Sequence, residues 1–208
     1  MTAASRPLTI VGLGDSTTAG TPGFRSPIEA PPEGEGNPES QYAFWMMQAH
    51  PDWTVLNRGI NGQTAQEIRA RFARDVLPVR PNYVILLAGV NDIYGGARPE
   101  AVERHLAAMY ADALDTGIVP VAAAVLPYNT AKARASGDIL TLNAWIESLA
   151  KVLGIPYCDT HAAVADLADS NCLGGSPDGL HPDVAGYRAM GAALVRTIED
   201  HLRRSRPR

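Results

Sequence analysis

Tyr83-Val84-Ile85-Leu86-Leu87-Ala88, followed at once by Gly89-Val90-Asn91-Asp92, is the stretch of this 208-residue chain that decides its fold. The run is continuously apolar, too short for a buried helix, and closed by a glycine. An antiparallel strand with one wet face would alternate. A strand covered on both faces, as in a parallel sheet, reads like this one. Parallel strands need long crossovers, so the flanking sequence should alternate between short strands and helices.

It does. Upstream, Leu8–Leu13 reads as a strand ending in Gly14, Gln41–His50 as a helix and Thr54–Asn57 as a second strand. Thr64–Leu77 reads as one helix, with Ile68, Phe72 and Val76 recurring and Arg69, Arg71 and Arg74 on solvated faces. Downstream, Pro99 opens a helix that Gly117 ends, and Ile118–Leu126 is a strand stopped by Pro127. Ile139–Leu153 is helical, Ile155–Cys158 a short fifth strand and His161–Ala168 a short helix. Pro182 starts a last helix whose Val184, Tyr187, Met190, Leu194, Val195, Ile198 and Leu202 form one apolar face. The pattern predicts an α/β fold: an open five-stranded parallel sheet with helices on both sides, in one domain over 1–208. Thr21–Ser40 breaks the rhythm. Its five prolines and three glycines predict an irregular loop, leaving directly from the Ser16 turn and placed to cover a pocket or make an oligomer contact.

Composition narrows the function. Hydrophobic residues make up 46% and charged residues 19%, with a net charge of −4, so nothing marks a nucleic-acid binder. No apolar run approaches the roughly 20 residues of a membrane span. Met1–Arg6 leads straight into the first strand, with no signal-peptide core, so the chain as given reads as cytoplasmic; a mature secreted form trimmed of its signal would read the same way. Cys158 and Cys172 read as free thiols rather than a bridge, and neither has the CxxC spacing of a zinc site.

In such sheets a ligand lies beyond the carboxyl ends of the strands. The strand exits here carry Gly14-Asp15-Ser16, Asn57-Arg58-Gly59-Ile60-Asn61-Gly62, Gly89-Val90-Asn91-Asp92 and Pro127-Tyr128-Asn129, and Pro177-Asp178-Gly179-Leu180-His181-Pro182 precedes the last helix. Acyl transfer needs a nucleophile, a base held in one tautomer and donors for an oxyanion. Ser16 sits where a hydroxyl would be presented at the sheet edge, although alone it also reads as a helix N-cap. Of the five histidines, His105 and His201 read as solvated on helices, His50 as a helix end, and His161 beside Asp159 as a weaker rival base. His181 has a carboxylate, Asp178, three residues upstream in a tight turn. The pair reads as general base and orienting acid, or as a loop-stabilising pair. Gly62 N–H, Ser16 N–H and the Asn91 amide are candidate oxyanion donors. Ile93, Tyr94 and Tyr128 are candidates for the pocket rim.

Together these residues resemble the GDSL, or SGNH, hydrolases. Gly14-Asp15-Ser16, Asn57-x-Gly59-x-x-Gly62, Gly89-x-Asn91-Asp92 and Asp178-x-x-His181 match that family's four blocks in order and in placement along nearly the whole chain. The resemblance implies a flavodoxin-like three-layer α/β/α sandwich. It implies Ser16 as nucleophile, His181 as base then acid, Asp178 orienting His181, and Ser16 N–H, Gly62 N–H and Asn91 as oxyanion hole, with Asp15 supporting the nucleophile turn. The expected reaction is hydrolysis of small carboxylic esters, most of all short-chain or acetyl esters, acetylated carbohydrates among them. It needs no cofactor and no metal. A thioesterase or lysophospholipase of the same family is the alternative, as is a non-catalytic binding module on the same fold. G-x-S-x-G, a complete G-x-G-x-x-G, a Walker loop and a receiver-type lysine at the end of strand five are all absent.

Overall fold

The computed structural model describes residues 7–205. Met1–Arg6, the stretch that bears on the signal-peptide expectation, lies outside the described residues. The elements run β1 (Leu8–Gly14), α1 (Ser16–Ala19), β2 (Phe24–Arg25), β3 (Glu35–Gly36), α2 (Tyr42–Ala49), β4 (Trp53–Gly59), α3 (Ala65–Ala70), α4 (Phe72–Asp75) and β5 (Tyr83–Leu87). There follow α5 (Val90–Tyr94), α6 (Pro99–Asp115), β6 (Val119–Ala123), α7 (Ala133–Leu153), β7 (Tyr157–Cys158), α8 (Thr160–Val164) and α9 (Val184–Arg204). The main sheet has five strands in the order β4-β1-β5-β6-β7, every pair parallel. Numbered along the chain, its strands lie second-first-third-fourth-fifth, the flavodoxin-like order. Chain direction across the sheet reverses at β1, so the crevice between the carboxyl ends of β1 and β5 is the switch point where such sheets bind ligands.

Side-chain alternation along the strands builds the two outer layers. Leu8 and Ile10 of β1 and Tyr83, Ile85 and Leu87 of β5 pack against Tyr42 and Met46 of α2 and Tyr187, Met190 and Leu194 of α9. Val11 and Leu13, with Val84 and Leu86, face Ile68, Phe72, Leu106, Met109, Leu142 and Ile146 of α3, α4, α6 and α7. All five residues of β5 are buried, as its unbroken apolar run requires.

Several boundaries differ from the sequence reading, each for a local reason. The helix expected over Thr64–Leu77 is two short helices and a 3₁₀ turn (Leu77–Val79), broken at Arg71, where φ is −105° and ψ is 2°. Arg71 is not solvated: its side chain turns inward and is buried, while Arg69 and Arg74 are exposed as expected. The strand expected to reach Leu126 stops at Ala123 because Asn143 takes both backbone groups of Val125, accepting its N–H at 2.7 Å and donating to its carbonyl at 2.9 Å. α7 begins six residues before Ile139, where no apolar stripe marks it; Asp138 pairs there with Arg134, four residues back, and with Arg98. The helix expected over His161–Ala168 stops at Val164, since Ala165 bridges to Leu173. The Thr21–Ser40 segment is not wholly irregular. Phe24, buried, anchors the β2–β3 ladder, and Pro38–Ser40 is a 3₁₀ turn.

Candidate active site

Ser16, which opens α1 with only Asp15 between it and the end of β1, is 6% exposed. Asp15 makes the turn. Its Oδ1 accepts the Thr17 N–H at 2.9 Å and the Thr17 hydroxyl at 2.8 Å, capping α1 from inside the protein. Gly14 has to be glycine, because a Cβ there would overlap Thr18 and the Leu87 carbonyl of the adjacent strand. Asp15 is wholly buried and its Oδ2 has no hydrogen-bond partner among the described residues. Burial pushes its carboxyl up to about 6, against the pull of the two Thr17 bonds and of nearby His181.

The Ser16 hydroxyl lies 2.8 Å from His181 Nε2, and His181 Nδ1 lies 2.7 Å from Asp178 Oδ2. Asp178 Oδ1 accepts the backbone N–H groups of Leu180 and His181, each at 2.9 Å. Burial pushes the Asp178 carboxyl up, but the bonds from the His181 ring and from these amides outweigh it and hold it below its ordinary value. The loop is fastened twice more. Ser176 Oγ donates to the His181 carbonyl at 2.6 Å, and the Asn129 N–H, from the loop after β6, donates to the Gly179 carbonyl at 2.8 Å. An ionised Asp178 on Nδ1–H leaves Nε2 free to accept a proton from Ser16.

Facing this chain of bonds, Ser16, Gly62, Asn91, Tyr94, Tyr128, Leu180 and His181 help line a cavity of about 240 Å³. Gly62 has φ of +74° with open space where a Cβ would stand, a conformation that favours glycine. Its N–H donates to no backbone carbonyl among the described residues. Ser16 N–H, at the first helical position, has no acceptor within its helix. Asn91 spends one amide hydrogen on the Gln63 carbonyl at 2.9 Å, which fixes the side chain and leaves its second hydrogen available. Tyr94 and Tyr128 both line the cavity. Ile93 does not: it is buried beneath α5 and lines the neighbouring cleft.

The other histidines stand elsewhere. Both ring nitrogens of His161, the rival base, sit 2.9 Å from backbone carbonyls, those of Val125 and Ser170. His201 is half-buried rather than solvated and meets the Tyr83 hydroxyl at 2.9 Å. His105 is also half-buried, and its Nδ1 has no partner among the described residues. Cys158 and Cys172 are free thiols. Among the described residues no group of three or more His, Cys, Asp or Glu is placed to hold a metal ion, and no helix is long and apolar enough to cross a membrane.

Two residues tie the site together that the sequence reading did not single out for it. The Arg71 guanidinium donates to the Gly14 carbonyl at 2.7 Å, to Gln63 Oε1 at 2.6 Å and to Asp75 at 2.8 Å. It therefore links the strand end before Ser16 to the residue after Gly62, whose carbonyl holds Asn91. Asp92 Oδ2 accepts the Ala65 N–H at 2.9 Å, joining the exit of β5 to the start of α3. The Thr21–Ser40 segment completes the frame: Thr21 and Glu29 bond to Asn61, and Ser26 donates to the Gly59 carbonyl. Apolar periodicity places Arg71 outside; the one sequence signal to the contrary is Asp75, an acid four residues further on and itself buried in the fold.

Comparison with known proteins identifies the family. The sequence profile of the GDSL-like Lipase/Acylhydrolase family matches residues 13–189. An acetylxylan esterase of Geobacillus stearothermophilus is 26% identical over 207 residues, covering 85% of this chain and 90% of its own. Among solved structures, one assigned to the lipolytic G-D-S-L family from Desulfitobacterium hafniense DCB-2 superposes with a TM-score of 0.76 at 29% identity, over 91% of this chain and 99% of the other. A GDSL-like lipase of Bacteroides thetaiotaomicron gives 0.71 at 26% identity, over 94% and 89%. With four motif blocks converging on one cavity and a profile match across most of its length, the chain belongs to the GDSL-like lipase/acylhydrolase family and is a serine ester hydrolase.

Proposed function

We propose that the chain hydrolyses short-chain esters, acetyl esters foremost, with Ser16, His181 and Asp178 as its catalytic triad. The observation that carries this reading is the contact of 2.8 Å between Ser16 Oγ and His181 Nε2, in a ring whose other nitrogen meets Asp178. Ser16 Oγ attacks the ester carbonyl carbon while its proton passes to Nε2. The carbonyl oxygen becomes an oxyanion facing Ser16 N–H, Gly62 N–H and the Asn91 amide, donors fixed before the reaction begins. The C–O bond to the alcohol then breaks and His181 returns the proton to the leaving oxygen. Water attacks the acyl-Ser16 carbonyl, gives its proton to His181, and the acid departs as Ser16 recovers the proton. Asp178 stays ionised throughout and stabilises the imidazolium.

Acyl size follows from the walls. A cavity of about 240 Å³ bounded by Tyr94, Tyr128 and Leu180 suits a small acyl group, and the similar Geobacillus protein is an acetylxylan esterase. The test is kcat/KM for p-nitrophenyl acetate, butyrate and octanoate. The expected profile falls by at least about tenfold from acetate to octanoate, the discrimination that a few methylenes without a pocket would give. A profile rising towards octanoate would replace the short-acyl reading with a lipase or lysophospholipase one.

A further inference from the structure

Tyr94 and Tyr128 do not end the binding surface; they divide it. Their rings meet edge to face, centroids 5.6 Å apart, and both line a second cleft of about 410 Å³ on the far side. Tyr94 is 62% exposed, leaving ring surface open to a ligand, whereas Tyr128 is buried beneath it. Past the two rings, Ile93 and Ala135 continue the apolar lining and Thr130, Lys132, Arg134 and Asp138 add polar and charged groups. Asp138 is shared by two guanidiniums, Arg98 at 3.1 Å and Arg134 at 3.5 Å. Lys132 is exposed and pairs with no acid among the described residues. Three positive charges thus stand against one negative at this spot, on a chain whose net charge is −4.

An acyl chain entering this cleft would lay part of its length beside hydrated cations, with no use for their charge. The other half of an ester, its alcohol, suits it. We infer that this cleft is the subsite for the alcohol moiety and that it selects alcohols bearing an anionic group, a carboxylate or a phosphate, on a ring that lies against Tyr94. Lys132 and Arg134 supply charge-assisted hydrogen bonds to that group. The inference rests on the esterase reading of the Ser16 cavity, which the Tyr94–Tyr128 pair joins to the cleft.

The test separates the two. Kinetics are measured for the acetates of methyl glucoside, methyl glucuronide and methyl glucoside 6-phosphate, with p-nitrophenyl acetate as the reference for the Ser16 site. Wild type is compared with Lys132→Glu, which changes an exposed unpaired side chain, and with Lys132→Ala/Arg134→Ala. We expect an anionic sugar acetate to be preferred over the neutral one by about fivefold or more at low salt, through KM, with the preference weakening as salt screens it. Both variants should lose the preference and keep p-nitrophenyl acetate turnover. Calorimetric binding of unacetylated methyl glucuronide and methyl glucoside 6-phosphate reports on the cleft without any turnover, so it stands even if the ester reading fails. Which of the two binds identifies the anion. Equal handling of neutral and anionic sugars, or a preference or binding that survives both variants, overturns the inference.

Discussion

Two regions meet at the site, and each is built around an aspartate. At the exit of β1, Asp15 is sealed within the protein, one oxygen bonded twice to Thr17 and the other unpartnered, so that burial raises its carboxyl to about 6. In the 176–182 loop, Asp178 keeps a third of its side chain in solvent and collects bonds from the His181 ring and two backbone amides, which hold it low. In the proposed triad the dry region presents the nucleophile, and the wetter one favours a negative charge behind the base. The same residue type is driven in opposite directions because one carboxylate has lost water without enough donors to replace it and the other has gained donors while keeping some water.

The comparison breaks most visibly at Asp178. Asp178→Asn should lower kcat by about 10⁴-fold with folding intact, because the neutral amide no longer fixes the His181 tautomer or stabilises its charged form. Steady-state kinetics with p-nitrophenyl acetate, paired with circular dichroism, would read this; a loss under tenfold would reduce Asp178 to a loop-stabilising residue. Asp15 sharpens the other half through stability. Its folded-state value lies above the 3.8 of an ordinary aspartate, so its contribution is complete below about pH 4 and is lost as pH rises through about 6, a span worth about 3 kcal/mol. Denaturant unfolding of wild type and Asp15→Asn across that range should show wild type gaining on the variant as pH falls. Parallel pH curves would mean that Asp15 is ionised in the fold despite its burial. Asp178 runs the other way, its contribution present above the ordinary aspartate range and lost as pH falls below it.

The contrast between regions also explains what the sequence made readable. The Asp178–His181 pair is local, three residues apart between Pro177 and Pro182, so it is legible at short range. Ser16, Gly62 and Asn91 were found because each follows a strand of a predicted parallel sheet. Arg71 escaped because its neighbours Ile68 and Phe72 define a helical stripe that leaves it outside. The helix breaks at that residue, and the guanidinium turns in to meet Gly14, distant in sequence. Asn143 closing off β6, Thr21 and Glu29 holding Asn61, and the charged cleft behind Tyr94 are likewise contacts between segments far apart in the chain. Periodicity carries no trace of them, because it records which face a residue shares and not which polar group it reaches.

The most direct measurement is p-nitrophenyl acetate hydrolysis by wild type and Ser16→Ala, with the thermal melting of both followed in parallel. The triad assignment predicts turnover in wild type and background rates in the variant at an unchanged melting temperature. Ester hydrolysis retained by a folded Ser16→Ala protein would contradict it and move the nucleophile elsewhere in the chain.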